Sequence, residues 1–143
     1  MSSVPARLRR LVTERARQRC EYCGLAQEGQ EATFHIDHIV PVSAGGLTAP
    51  ENLALACVSC SLRKEARQSG FDSETGRTVA LFHPRHQSWS DHLAWDGVHV
   101  TGLTATGRAT VAVLNLNRLV ILGIREEEIE RGRHPPPATD SDS

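Results

Sequence analysis

The four cysteines of the chain form two Cys-x-x-Cys pairs, Cys20/Cys23 and Cys57/Cys60. Two such pairs can bring four sulfur atoms to one metal ion, with each Zn–S bond about 2.3 Å long. A shared ion would constrain the fold strongly, because it would fix two distant segments of the chain against each other. Four buried free thiols are the alternative, since cysteine is often buried. The pairing favours a structural Zn²⁺ bound by all four cysteines.

A group of acid and imidazole side chains lies between the two cysteine pairs, at His35, Asp37 and His38. In a strand, His35 and Asp37 would share one face and His38 would lie on the other. The carboxylate suits a hard divalent cation, and an imidazole can take a proton from water near neutral pH. Asn52 follows in the next loop, where its amide can bridge backbone groups, although Asn is also an ordinary turn residue. A pair that merely solvates a strand end is the alternative for Asp37 and His38.

Two basic segments are candidates for contact with nucleic acid. The helix predicted from Cys57 carries Arg63, Lys64 and Arg67, and such a face can meet phosphates, although a solvated helix face is the alternative. The other segment is the N-terminal helix, in which six arginines lie between residues 7 and 19.

The apolar spacing alternates between helical and strand periods, which predicts an α+β fold. The predicted elements are a helix at 4–19, a strand at 33–40, a helix at 57–68, a loop at 69–78, a strand at 79–82, a hairpin around Asp96-Gly97, and helices at 107–116 and 117–131. Ser2 or Ser3 is a predicted cap of the first helix, and Thr104 or Thr106 of the helix at 107–116. Residues 132–143 are rich in Pro and then in Ser and Asp, and are predicted to be disordered.

Length and composition limit the class of protein. A chain of 143 residues with 4% aromatic residues indicates one small domain for which a metal would be a useful staple. The net charge of -1 does not by itself indicate nucleic acid. We expect a cytoplasmic protein without a membrane segment, because neither a signal sequence nor a long apolar stretch is visible. The oligomeric state is left open.

The motifs together resemble the HNH endonuclease family of the His-Me finger superfamily, and more narrowly its zinc-stapled bacterial members. The resemblance rests on the spacing of the following residues: Cys20, Cys23, Asp37, His38, Ile39, Pro41, Gly45, Gly46, Asn52, Leu53, Leu55, Cys57, Cys60 and Lys64. Segments 81–85, 89–95 and 106–111 are similar to one bacterial subgroup, which extends the likeness over most of the chain.

The resemblance implies a ββα-metal core, in which a hairpin, a loop and a helix hold one catalytic Mg²⁺ or Mn²⁺. It implies that His38 is the general base, that Asp37 binds the catalytic ion, and that Asn52 pins the loop. It also implies that the zinc is structural only. The expected organisation is a nuclease core at 1–70, a C-terminal hairpin and helical extension at 71–131, and the tail at 132–143.

One position departs from the family pattern. The third signature residue is usually His or Asn, and it falls here at Ser61. Three interpretations are open: Ser61 binds the ion through water, His35 replaces it as a ligand, or the site is inactive. We favour the first interpretation, because the base and one carboxylate are still present.

The sequence therefore predicts a metal-dependent endonuclease that hydrolyses phosphodiester bonds, with double-stranded DNA as the expected partner. A catalytically inactive zinc module that binds nucleic acid is the second hypothesis. The third is a structural zinc protein whose acidic segment 126–130 binds another protein.

Overall fold

The computed structural model describes residues 4–138, which form five helices and three two-stranded antiparallel sheets. The elements are α1 (Ala6–Arg15), β1 (His35–His38), β2 (Leu53–Ala56), α2 (Val58–Lys64), β3 (Ser69–Asp72), β4 (Arg77–Ala80), α3 (Trp89–His92), β5 (Leu93–Asp96), β6 (His99–Gly102), α4 (Ala105–Leu114) and α5 (Leu119–Glu130). Short 3-10 turns at 42–44 and 50–52 lie in the loop between β1 and β2. The mixed α+β fold agrees with the prediction.

The first sheet pairs β1 with β2, and α2 follows directly, so the order is hairpin and then helix. In this register Asp37 lies opposite Ala54, and His35 lies opposite Ala56. Directly opposed residues share a face, and the two alanines leave room for α2 to approach that face. Every residue of β2 is buried, which makes this strand the centre of the N-terminal half.

The first helix is shorter than the predicted span of residues 4–19. It ends at Arg15, and Arg17 and Gln18 then have φ angles of 54° and 58°. These left-handed residues stop the helix and turn the chain toward Cys20. Pro5 stands at the N-cap without a side-chain bond, and the predicted caps Ser2 and Ser3 lie outside the described residues.

The prediction of a loop at 69–78 is wrong in part, because most of this segment belongs to the hairpin β3–β4. Its turn is held by Asp72, which accepts hydrogen bonds from the backbone and the hydroxyl of Thr75. Arg108 of α4 donates to both Asp72 oxygens, and these bonds hold the pKa of that carboxyl below its usual range. The Gly, Asp, Ser and Thr residues of this segment favoured a loop, whereas in the fold both strands pack against α4.

The C-terminal elements follow the remaining predictions closely. The β5–β6 hairpin turns at Asp96-Gly97, and Thr104 caps α4 by accepting a hydrogen bond of 3.0 Å from the backbone N–H of Gly107.

The helix predicted from Cys57 to residue 68 instead ends at Lys64, because Glu65 has a φ of 47°.

The predicted disordered tail begins with ordered residues. The Arg133 side chain forms an ion pair with Glu128, and the carbonyl oxygen of Arg133 accepts a hydrogen bond from Arg19. The His134 ring packs edge-on against Trp95 at 4.6 Å between centroids. These contacts hold the chain on the fold as far as His134, and residues 139–143 of the predicted tail lie outside the described residues.

Within residues 4–138, no single helix has the length and hydropathy needed to cross a bilayer. Helices α4 and α5 meet both requirements only when they are taken together, and they are bent by 101° at the break between them.

Candidate active site and metal centre

The four cysteines meet at one buried point. Their sulfur atoms all lie within 4.8 Å of one another, and the Cys23 and Cys57 sulfurs are 3.6 Å apart. A tetrahedral ion with bonds of about 2.3 Å would separate its sulfurs by about 3.8 Å. The observed cluster therefore has the size and the donor set of a structural zinc site.

Backbone groups of each pair support the sulfurs. The N–H of Cys23 points to the Cys20 sulfur, and the N–H of Cys60 points to the Cys57 sulfur, each at 3.4 Å. Hydrogen bonds from the other three cysteines lower the pKa of the Cys57 thiol, whereas burial raises the pKa of Cys20. Such N–H···S bonds are typical of thiolates that bind a metal.

A buried cation from the C-terminal half lies next to this cluster. Arg125 of α5 is 2% exposed, and its guanidinium contacts the carbonyl oxygens of Cys23 and Val98. Its guanidinium carbon also lies 5.0 Å from the ring centroid of Trp95. Since a Zn²⁺ with four thiolates has a net charge of about -2, a nearby cation offsets part of the buried charge. Helix α5 is thus tied to the cysteine cluster.

Asp37 lies in a buried polar pocket rather than on the surface. Its Oδ2 accepts a hydrogen bond of 2.8 Å from the Tyr22 hydroxyl and lies 3.2 Å from the Lys64 ammonium. Burial raises the pKa of the Asp37 carboxyl, although Lys64 and Tyr22 both act in the opposite direction. Burial also raises the pKa of Tyr22, so that its hydroxyl remains a donor.

The prediction that Lys64 contacts nucleic acid is not supported by its position. The side chain is 2% exposed, and its ammonium contacts the carbonyl oxygen of Ile39 at 3.0 Å, the carbonyl oxygen of His38 at 3.3 Å and the carboxylate of Asp37. Lys64 therefore ties α2 to β1 beneath the candidate site. The reason is that α2 crosses the hairpin face that carries Asp37, which turns this position inward.

His38 lies on the other side of β1, as strand alternation predicts. Its Nε2 is 2.9 Å from the Thr48 hydroxyl, which belongs to the loop between β1 and β2. No described residue hydrogen-bonds to Nδ1, and the half-buried ring leaves that nitrogen accessible. Thr48 therefore fixes the ring while one nitrogen remains available for chemistry.

Asn52 pins the same loop through three hydrogen bonds. Its Oδ1 accepts from the N–H of Val40, and its Nδ2 donates to the carbonyl oxygens of Val40 and Leu47. Gly46 packs so closely here that a Cβ atom would lie 1.8 Å from the carbonyl oxygen of Val40. The conformation of the loop that carries Thr48 is thus fixed by the Asn52 amide and by the absence of a side chain at Gly46.

We expect Asn52→Ala to destabilise the protein by about 3 kcal/mol, because it leaves three backbone polar groups without a partner. Urea unfolding of the zinc-loaded protein measures this loss. Gln68→Ala is the control, since Gln68 is an exposed amide, and we expect it to change the free energy of unfolding by about 0.5 kcal/mol or less. A similar loss in both variants would contradict the role of Asn52.

The departure from the family pattern at Ser61 is accompanied by a specific contact. The Ser61 hydroxyl lies 2.9 Å from Nδ1 of His35, at the exposed edge of the face shared with Asp37. His35 and Ser61 are therefore brought together by β1 and α2. Sequence reasoning treated them as alternative ligands, whereas the fold places them as one pair.

Asp37 and its neighbours could bind a divalent cation that needs only a few protein ligands. Asp37 Oδ1 accepts no hydrogen bond from residues 4–138, and it is not enclosed. Mg²⁺ is commonly bound by one or two carboxylates, with waters and substrate phosphates completing its shell. Asp37, with Ser61 or His35 beside it, satisfies that requirement, although the Lys64 ammonium makes the site less attractive to a second cation.

Some of the other basic candidates are exposed, and others are hydrogen-bonded to backbone carbonyl oxygens of the fold. Arg63 and Arg67 are exposed on α2. In the N-terminal segment, Arg15 donates to the carbonyl oxygens of Pro50 and Leu53, and Arg19 donates to those of Gly24 and Arg133. Arg15 and Arg19 therefore connect the N-terminal segment to other parts of the fold. Arg7, Arg9, Arg10 and Arg17 are exposed.

Sequence reasoning missed Tyr22 and Thr48 as parts of the site. Tyr22 is an unspecified position between two cysteines, and Thr48 lies in a polar loop of ordinary composition. Neither has a local signal, because their partners Asp37 and His38 are 15 and 10 residues away.

Comparison with known proteins gives one family match. The HNH endonuclease model matches residues 20–67, which contain the cysteine cluster, the β1–β2 hairpin and α2. Neither the curated proteins nor the solved structures gave a match. The geometry and the family match cover the same segment: residues 20–67 are similar to the HNH endonuclease family, and their four cysteines can bind zinc.

Proposed function

We propose that the protein is a metal-dependent endonuclease that hydrolyses phosphodiester bonds of DNA. The observation that carries this proposal is the His38–Asp37 couple within the HNH domain. Each member is held by a different neighbour and keeps one atom accessible, namely Nδ1 of His38 and Oδ1 of Asp37. A purely structural module would need neither open atom.

His38 is the general base in this proposal. With Nε2–H donating to Thr48, the lone pair of Nδ1 can take a proton from the attacking water. The Asn52 clamp supports this step indirectly, because it fixes the loop that carries Thr48.

Asp37 is the metal-binding residue, with Ser61 acting through water. A bound Mg²⁺ or Mn²⁺ would supply Lewis-acid stabilisation of the phosphoryl oxygens and of the leaving oxygen. Lys64 and Tyr22 hold the carboxylate in one orientation through Oδ2, so that Oδ1 is the oxygen that would hold the ion.

We further propose double-stranded DNA as the substrate and the cytoplasm as the location. Residues 1–70 act as the nuclease core, and 71–131 act as an extension packed on it. Contacts with phosphates position a nucleic acid without reading its sequence. Arg63, Arg67 and the exposed arginines of α1 are suited to that task.

The second candidate function is a zinc module that binds nucleic acid without cutting it. Two observations favour it, namely the serine at the usual third ligand position and the ammonium next to Asp37. The hypothesis of an acidic protein-binding segment is weaker, since Glu128 within it is buried and paired with Arg133.

A plasmid-nicking assay tests the proposal. Zinc-loaded protein is incubated with supercoiled plasmid, with and without Mg²⁺ or Mn²⁺, and nicked circles are counted. Cutting that requires the added ion supports the nuclease. Salt-sensitive binding without cutting would support the second candidate, and absence of both would remove nucleic acid as the partner.

We expect Ser61→Asn to raise the cutting rate at low Mg²⁺ concentration by about tenfold, because an amide oxygen reaches farther and binds Mg²⁺ better than a hydroxyl. The measurement is the Mg²⁺ concentration at half-maximal nicking. Ser59→Asn, one half-turn away on α2, should leave this value unchanged. Loss of cutting in Ser61→Asn would contradict the assignment of this position to the metal shell.

A further inference from the structure

An open cleft of about 500 Å³ borders α2. Its apolar lining comes from the N-terminal half, α2 and α5, through Leu25, Phe34, Val58, Leu62 and Ile124. Ligand sites for small molecules are commonly about 300–1,000 Å³, so the cleft is large enough for one nucleotide unit.

The cleft combines this apolar lining with positive charge. Arg63 and Arg118 line it, and its lining contains no carboxylate. Nη1 of Arg118 is buried and has no hydrogen-bond partner among residues 4–138. This nitrogen is enclosed by protein, so the positive charge that the cleft offers comes from Arg63 and from the part of the half-buried Arg118 side chain that lines it.

The position of the cleft connects it to the chemistry. Phe34 immediately precedes His35, and Leu62 immediately follows Ser61, while His35 and Ser61 contact each other. Because neighbouring Cα atoms are about 3.8 Å apart, a strand whose phosphate reaches the His35–Ser61 edge also passes close to Leu62 of the cleft lining. Leu62 is 61% exposed there, so that an apolar surface faces this nucleotide.

We propose that this cleft binds an unstacked nucleotide next to the scissile phosphate, with the base on the apolar lining and its phosphate on Arg63 and Arg118. The inference rests on the proposed nuclease function and refines its substrate. A base must leave the stack to enter such a cleft, and this costs least where the nucleotide is unpaired. The preferred substrate class is then DNA that contains an unpaired nucleotide.

Charge and shape favour this occupant over others. An acidic peptide would match the arginines but would leave the apolar lining without a partner. A purely apolar ligand would leave Arg63 and Arg118 without one. A nucleotide combines a flat base, whose faces stack on apolar side chains, with a phosphate.

The test is fluorescence anisotropy of two labelled duplexes without added divalent cation, so that no strand is cut. One duplex is fully paired, and the other is identical except for one unpaired nucleotide. We expect the zinc-loaded protein to bind the second about fivefold more tightly. Leu62→Ser should reduce this preference below about twofold, and Arg63→Gln or Arg118→Gln should weaken binding to both duplexes and lower the salt slope by about 1.

Two exposed positions provide matched controls. Leu103→Ser removes a leucine that is 51% exposed outside the cleft, and Arg77→Gln removes an exposed arginine of β4. Both should keep the fivefold preference. Equal binding of the two duplexes by the wild-type protein would overturn the inference, as would an unchanged preference in Leu62→Ser. Displacement of DNA by poly-glutamate at equal concentration would also overturn it, because the cleft would then suit an acidic protein.

The outcomes separate this inference from the nuclease proposal. A preference for the unpaired nucleotide without any nicking supports the cleft and removes the nuclease. Metal-dependent nicking with equal binding of both duplexes supports the nuclease and removes the cleft.

Discussion

Removal of zinc is expected to abolish cooperative folding at room temperature. Structural Zn²⁺ in small domains contributes an apparent free energy of about 10–16 kcal/mol, whereas the whole stability of a domain is about 5–15 kcal/mol. A chelator that strips the zinc, or Cys60→Ser, should therefore eliminate the thermal transition measured by circular dichroism. Zinc content is measured on the same samples.

The architecture explains why so large an effect is expected. All three sheets have only two strands, and an isolated hairpin is marginally stable in water. The four cysteines belong to the hydrophobic core itself, and Arg125 lies buried beside them. Without an ion, four buried sulfurs and one buried cation would remain without their main electrostatic partner.

Ser59→Ala is a suitable control for the cysteine variant. Ser59 lies on α2 next to Cys60, is half-buried, and has a side chain of similar size. It should retain both zinc and the thermal transition. A metal-free protein that melts at the same temperature as the zinc-loaded one would show that the hydrophobic core alone holds the fold.

The parts of this molecule that were predictable from sequence have short-range signals. The cysteine pairs, the Asp96-Gly97 hairpin and the Thr104 cap each depend on residues one to three positions apart, and the fold contains all three. The α+β class follows from apolar periodicity in the same way. The resemblance to the HNH family implied that Asn52 pins its loop, and its three backbone hydrogen bonds fit that role.

The parts that were not predictable depend on how distant segments pack. Lysine is a residue type that commonly binds phosphate. In this fold, however, α2 crosses β1 so that the Lys64 side chain is buried and forms an ion pair with Asp37. The segment that forms the β3–β4 hairpin contains the Gly, Asp, Ser and Thr residues typical of a loop, and it is held by Arg108, which lies 36 positions from Asp72. The cleft likewise joins residues from both halves of the chain, so that no single segment indicates it.

His38→Ala is expected to reduce metal-dependent nicking by about 10²–10⁴-fold, which is the usual contribution of general acid–base catalysis. The half-buried side chain makes its one described hydrogen bond to Thr48, so its removal should leave the zinc content and the melting temperature nearly unchanged. The measurement is the initial rate of plasmid nicking in saturating Mg²⁺, with zinc content determined in parallel.

His99→Ala provides the matched control, because His99 is an exposed histidine on β6, outside the segment 20–67 that matches the HNH family model. It should cut at the wild-type rate. Equal rates for His38→Ala and the wild-type protein would remove His38 as the base, and His35→Ala would then be tested, since His35 is the other imidazole at the site edge. A loss of nicking in His38→Ala with intact zinc and an unchanged melting temperature would separate the chemistry of this couple from the stability of the fold. That separation is expected because Asp37 and Lys64, rather than His38, connect the helix to the hairpin.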